Sequence, residues 1–163
     1  MNNLENAIVL TVQIRDALRA EVDRARAERV LIRTMDVDGL MRRANARSEF
    51  NASVSRTQTQ LAAELELAGQ ALGVKEVTVE ALRAAAPDPG DRLSGMLAEV
   101  RSLAGALAEL DDLNRLLGQR ALSFVRAYIG ALSPRPAAYD RRGLSTAAAD
   151  ASVRRSTTVS RVV

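Results

Sequence analysis

A run of residues spaced three and four apart extends from position 93 to position 131, and it constrains the fold more than any other feature. This spacing places about one side chain per turn on the same helix face, which is typical of a long helix in a bundle or coiled coil. Asp91 is the expected N-cap and Pro134 cannot continue a helix, so the run predicts a helix over residues 91–132. Its members are Leu93, Met96, Val100, Leu103, Leu107, Leu110, Asn114, Leu117, Ala121, Phe124, Tyr128 and Ala131.

Two earlier segments have the same periodicity, over residues 2–34 and 39–72. Between them, either Asp36 or Asp38 is expected to cap the second helix. The first segment also carries a run of mixed charges, and this run predicts a solvated helix face. These charges are Arg15, Arg19, Glu21, Asp23, Arg24, Arg26, Glu28 and Arg29.

The apolar stripe of the second segment is interrupted at Arg47, Asn51 and Gln58. Either these polar residues lie in the helix seam and fix its register, or Phe50 rotates the buried stripe locally. The sequence leaves both interpretations open.

Shorter signals complete the architecture. Gly73 is a C-cap candidate for the second helix, and Thr78 is an N-cap candidate for a short helix over residues 80–86. The stretch Pro87-Asp-Pro-Gly90 predicts a turn before the third long helix. The fold class is therefore all-α: an elongated antiparallel helical bundle or coiled coil of three long helices plus one short helix.

The segment after the third long helix differs from the rest in composition. Residues 134–163 are too poor in large apolar groups to fold alone, so we expect a helical domain over residues 1–133 followed by a flexible C-terminal tail. Five arginines and two aspartates follow Pro136, and their sum of +3 equals the net charge of the whole chain. The body is therefore neutral and offers no basic groove, which argues against nucleic-acid binding.

The composition excludes several functions. There is no Cys and no His. These absences remove thiol and imidazole catalysis, disulfides and the usual zinc sites, and we expect no enzymatic activity, no metal site and no cofactor. The longest apolar run near the N-terminus is far too short for a membrane span, so we expect a cytoplasmic protein without direct membrane insertion.

After Arg120, a second apolar row appears beside the first on the third long helix. Leu122, Val125, Ile129 and Leu132 widen the apolar arc, and no further amphipathic segment follows that could cover it. An uncovered apolar surface of this kind indicates a partner. The pattern alone leaves self-association and a foreign partner equally open.

Several motifs, in their order along the chain, resemble those of the FlgN family of flagellar type III export chaperones. The resemblance spans Leu4 to about Gly143. It is carried by an Asp-x-x-x-Leu step at Asp36 and Leu40, a helix ending in Leu-Gly at Gly73, the pair Leu113-Asn114, and Tyr-x-x-x-Gly from Tyr139 to Gly143.

The resemblance implies a cytoplasmic chaperone, not an enzyme. It implies binding of the helical termini of the hook–filament junction proteins, FlgK-like and FlgL-like, with delivery to the export gate or the export ATPase complex. The matching substrate-binding positions here are the apolar rows of the third long helix, and Tyr139 is the matching position for docking at the gate. We expect the client contacts at Leu117, Ala121, Leu122, Phe124, Val125, Tyr128, Ile129 and Leu132.

For three residues of the third long helix, the sequence also suggests a structural role in the bundle. We interpret Asn114 as a register-setting residue that hydrogen-bonds across the bundle. Phe124 is equally well explained as core, while the hydroxyl of Tyr128 favours an edge position. The alternative function is a generic coiled-coil adaptor or self-associating structural protein, and a weak homodimer is compatible with either function.

Overall fold

The computed structural model describes residues 3–132, and within them the chain forms helices and no strand. This confirms the all-α helical bundle of three long helices and one short helix. The division into a domain over residues 1–133 and a tail over residues 134–163 stays a prediction, because the tail lies outside the described residues. The helices are α1 (Asn3–Thr34), α2 (Val37–Ala71), α3 (Val79–Ala85) and α4 (Pro87–Leu132).

Polar contacts between the helices fix their directions. On α1 and α2, Asn6 donates a hydrogen bond to Glu64 at 3.2 Å, while Glu21 accepts one from Arg47 at 3.0 Å. The residue numbers of the partners increase along α1 and decrease along α2, so the two helices are antiparallel. Helix α4 runs in the direction of α1, since Glu5 pairs with Arg92 near the start of both helices and Ala25 contacts Asn114 further along.

Caps set the helix ends where the sequence places them. The Asp36 carboxylate accepts the Gly39 N–H at 2.9 Å and starts α2, so Asp36 rather than Asp38 is the N-cap. Gly73 follows α2 with φ +70°, a left-handed conformation that glycine adopts without steric cost. Thr78 accepts the Ala81 N–H at 3.1 Å and starts α3, as predicted.

The prediction of a turn at 87–90 is wrong. Helix α4 already begins at Pro87, so it starts four residues before the expected Asp91. Proline is tolerated in the first turn of a helix, because the N–H groups there have no intrahelical partner to lose. Only Ala86 separates α3 from α4, and Asp91 pairs with Arg83 at 2.6 Å instead of capping the helix.

Two hydrophobic clusters hold the helices together. In the first cluster, Leu61 of α2 and Leu107 of α4 pack against α1. The second cluster contains Leu82 of α3 and Leu93 of α4, and it lies near the start of α1, far from the α1–α2 turn. Phe50 packs against the first cluster. Their buried members are Leu4, Ala7, Ile8, Ile14, Leu18, Val22, Ala25, Leu61, Ala68, Leu82, Leu93 and Leu107.

The polar interruption of α2 is explained by both of the interpretations that the sequence left open. Phe50 is partly buried while Asn51 and Gln58 are exposed, so the buried stripe does shift by one residue at Phe50. Arg47 remains inward and pairs with Glu21 of α1 and Asp111 of α4. A polar residue therefore lies between the helices at only one of the three interrupted positions.

We expect Gly90→Ala to destabilise the fold. A Cβ atom at position 90 would lie 2.6 Å from the Cα atom and 2.9 Å from the backbone nitrogen of Arg83, so α3 and α4 would have to move apart. Overpacking of this kind costs about 1–3 kcal/mol, which outweighs the roughly 1 kcal/mol gained in helix propensity. The measurement is the free energy of unfolding in urea.

Gly105→Ala is the matched control for this substitution. Gly105 lies in the same helix, and a Cβ atom added there would have no heavy atom within 4 Å outside its own neighbourhood. Only the higher helix propensity of alanine should therefore matter, and it should raise the free energy of unfolding by about 1 kcal/mol. Equal changes at positions 90 and 105 would contradict the close approach of α3 and α4.

Candidate functional site

The seam of α4 changes from buried to exposed along the helix. Leu93 and Leu107 are buried, and the two expected site residues Leu117 and Ala121 are half-buried. Leu122, from the second apolar row, is already 57% exposed. The first three of the predicted site residues therefore sit on the stretch of α4 where burial ends.

The last nine described residues, 124–132, form a helical segment whose large apolar side chains are almost all exposed. Phe124 is 68% exposed and Leu132 is 65% exposed, so Phe124 is not a core residue. Tyr128 and Ile129 are also exposed, while Val125 is half-buried. An apolar surface this dense is one that proteins normally cover with a partner. Tyr139 lies outside the described residues.

Asn114 is the last fully buried residue of the α4 seam before the seam becomes exposed. Its side chain is 4% exposed, and its Nδ2 donates a hydrogen bond of 2.8 Å to the carbonyl oxygen of Ala25. Since that carbonyl belongs to α1, the bond ties α4 to α1 at one defined register. A buried amide that must find its partner penalises any slip between the two helices.

A buried carboxylate links the three long helices. Glu21 of α1 is fully buried and accepts hydrogen bonds from Arg24 on its own helix and from Arg43 and Arg47 on α2. Arg47 in turn pairs with Asp111 of α4, the one ion pair between α2 and α4 in residues 3–132. We call the set Glu21, Arg24, Glu28, Arg43, Arg47 and Asp111 the ionic layer.

The ionic layer was missed because Glu21 was grouped with the solvated charges of α1, and that prediction is wrong for this residue. The missed signal is its spacing: Glu21 follows Leu18 by three positions and precedes Ala25 by four, so it lies on the buried stripe. Burial raises the pKa of the Glu21 carboxyl, but the hydrogen bonds from the arginines outweigh that effect and hold the pKa below its ordinary value of 4.5.

Other kinds of site are not found in the described residues. Within residues 3–132, no group of three or more acidic side chains is arranged to hold a metal ion. No helix in the same range is long and apolar enough to cross a membrane.

Comparison with known proteins decides the family. The family model for FlgN protein matches residues 1–147. The chain belongs to the FlgN family. This family is one of flagellar export chaperones rather than enzymes, and it gives the chain a general chaperone role, with flagellar hook-associated proteins as the class of partner. Searches of curated proteins and of solved structures gave no match.

The matched range includes all of the described residues 3–132. It contains the ionic layer, the exposed end of α4 and Tyr139. The exposed apolar residues are therefore part of the FlgN unit and not of an added segment.

We expect Glu21→Gln to destabilise this FlgN protein strongly. The change removes the charge that compensates Arg43, which is only 10% exposed, and breaking a buried ion pair costs about 3 kcal/mol or more. Asp23→Asn is the control, because Asp23 forms an exposed pair with Arg26 and should matter by less than about 0.5 kcal/mol. Urea unfolding at pH 7 measures both.

The difference in the free energy of unfolding between the unchanged protein and Glu21→Gln should depend on pH in a defined direction. The pKa of Glu21 is lowered in the folded state, so the unfolded state binds the proton more tightly and the stabilisation is lost as pH falls. The deficit of Glu21→Gln should be complete at neutral pH and should shrink as the pH drops below 4.5 and through the folded pKa. A deficit independent of pH would mean that the charge of Glu21 is not what stabilises the layer.

Proposed function

We propose that the chain binds the helical termini of FlgK-like and FlgL-like junction proteins, prevents their premature association and delivers them to the type III export gate. The observation that supports this most directly is the exposed apolar end of α4. There, Leu122, Phe124, Tyr128, Ile129 and Leu132 are each more than half exposed. Family membership supplies the class of client, and the exposed side chains supply a place to bind it.

The chemistry of this surface suits an amphipathic helix. Side chains on α4 that recur at three and four positions can pack against a similarly spaced stripe on a partner helix. Each large apolar side chain that becomes buried contributes roughly 1.5–3 kcal/mol before the costs of association are subtracted. Covering the client's own apolar stripe would also prevent it from pairing with other copies of itself.

A coiled-coil adaptor or self-associating structural protein is the competing function. It would bury the same end of α4 against a second copy of the chain. Sedimentation of the free protein distinguishes the two, because a chaperone with an open surface should be a monomer or a weak homodimer, whereas the competitor is a stable oligomer without affinity for junction proteins.

We expect the double variant Phe124→Gln, Ile129→Gln to lose capture of junction proteins. Both side chains are exposed, so helical content and unfolding should stay close to those of the unchanged protein, while the client loses its apolar contacts. Co-purification with the C-terminal segments of FlgK-like and FlgL-like proteins measures capture. We expect a weakening of at least tenfold, which corresponds to about 1.4 kcal/mol.

The matched control is the double variant Val9→Gln, Leu67→Gln. These side chains are also apolar and each is 47% exposed, but they lie on α1 and α2. Capture should remain unchanged. Loss of capture in both double variants would show that general surface hydrophobicity, and not the end of α4, binds the client.

Tyr139→Ala separates client capture from delivery. We expect the variant to co-purify with junction proteins as well as the unchanged chain does, and to reduce their export from cells. The reason is that the family resemblance assigns docking at the gate to the position of Tyr139, and that Pro134 and Pro136 interrupt the helical pattern of the sequence before it. Normal export by the variant would remove Tyr139 from the delivery step.

A further inference from the structure

Charge is unevenly distributed along the described residues. Residues 3–112 carry fourteen basic and eighteen acidic side chains, so their net charge is −4. Residues 113–132, at the end of α4, carry three arginines and no acidic side chain, so their net charge is +3. The part of α4 that exposes its apolar side chains is therefore positively charged, while the rest of the described chain is acidic.

Two of these three arginines have no partner. Arg115 forms an ion pair with Asp112 at 2.9 Å. Arg120 and Arg126 are exposed, and neither forms an ion pair or a side-chain hydrogen bond within residues 3–132. Their guanidinium groups are thus available to a carboxylate from outside the chain.

Helical spacing places the two unpaired arginines on either side of the exposed apolar side chains. Leu122 and Phe124 are two residues apart, so they project about 160° apart and mark the edges of the apolar arc. Arg126 lies one turn after Leu122, and Arg120 lies one turn before Phe124. Between the edges lie the other exposed apolar side chains of this segment, Tyr128, Ile129 and Leu132. Each edge of the arc is thus bordered by an unpaired positive charge.

We propose that the helix bound at the end of α4 is acidic, with carboxylates on both sides of its own apolar stripe. This inference rests on the proposed function and specifies the chemistry of the client. When two helices pack along an apolar seam, the charged residues beside the seam face each other and set the choice of partner. Arg120 then pairs with a carboxylate on one side of the client stripe, and Arg126 pairs with one on the other side.

The charge of the remaining described residues favours the same site. Apolar side chains such as Val9 and Met41 are also exposed in residues 3–112, but the net charge of −4 there repels an acidic helix. Complementary potentials determine where partners meet and how fast they do so. Attraction at the end of α4 and repulsion elsewhere therefore direct an acidic client to one place.

Two other occupants match this charge pattern less well. A second copy of the chain would bring its own Arg120 and Arg126 to the seam, so like charges would face each other with no acidic residue to compensate them. A membrane surface with anionic lipids would attract the two arginines, but it would repel residues 3–112.

The first test compares two designed helical peptides that share one leucine stripe. One peptide has glutamates at the positions flanking the stripe, and the other has lysines there. At low ionic strength the full chain should bind the glutamate peptide about tenfold more tightly, as measured by fluorescence anisotropy. The preference should shrink as the salt approaches about 1 M, where the Debye length falls to about 3 Å. Equal binding of both peptides would overturn the proposal.

The second test reverses the charge at the edges of the arc. The double variant Arg120→Glu, Arg126→Glu should prefer the lysine peptide, and its helical content should not change because both side chains are exposed and unpaired. The matched control is Arg56→Glu, Arg101→Glu, which reverses two exposed arginines that also lack an ion pair in residues 3–132. The control should keep the preference of the unchanged protein. The same peptide preference in both variants would overturn the proposal, because the two arginines of the arc would then have no special role.

The third test uses the C-terminal segments of FlgK-like and FlgL-like proteins. Arg120→Glu, Arg126→Glu should bind these segments about tenfold more weakly than Arg56→Glu, Arg101→Glu does. If the two variants bind them equally well, the acidic client is wrong while the chaperone function stands. If the unchanged protein captures neither segment but still prefers the glutamate peptide, the proposed function fails and the surface for an acidic helix stands.

Vesicles provide the remaining comparison. The unchanged protein should bind vesicles of phosphatidylserine and phosphatidylcholine no better than vesicles of phosphatidylcholine alone. Binding to the anionic vesicles that Arg120→Glu, Arg126→Glu abolishes, together with equal affinity for the two peptides, would assign the arginines to a membrane surface and overturn the proposal.

Discussion

The structure depends on one buried carboxylate. Glu21 is withdrawn from water at the centre of α1, a position that would be strongly unfavourable for an unpaired charge. Three arginines neutralise it, and two of them come from α2. Through Arg47 and Asp111 the same group of charges reaches α4. Removing Glu21 would take from Arg43, which is only 10% exposed, the nearer of its two carboxylates, and from Arg47 its partner on α1. The layer therefore favours a single alignment of the three long helices.

The two hydrophobic clusters extend along only part of the bundle. Among the described residues, the two hydrophobic clusters reach no further than Ala25 on α1, Phe50 on α2 and Leu110 on α4. Further along, Leu113 and Leu116 of α4 are exposed, as are Val37 and Met41 at the start of α2. Ile32 of α1 is still buried in this part of the bundle, so apolar burial becomes sparser there without ending.

The sequence predicted the elements better than the contacts between them. Periodicity found the three long helices and the cap signal at Thr78 found the short one, and Asp36, Gly73 and Thr78 marked ends that the structure confirms. It failed at Pro87, because proline signals a turn and a helix start in the same way. It failed at Glu21, because the charge was taken as a sign of exposure although the spacing places this residue on the buried stripe, and the arginines of α2 that compensate the charge are seen only in the structure.

The central claim is that the client helix binds on the exposed end of α4, and hydrogen exchange tests it most directly. Amide exchange is measured by mass spectrometry in the free chain and in its complex with the C-terminal segment of a FlgK-like protein. The backbone of residues 122–132, which is helical but poorly covered, should exchange much more slowly in the complex. Protection confined to the α1–α2 surface around Val9 and Gln60, with residues 122–132 unchanged, would contradict the claim.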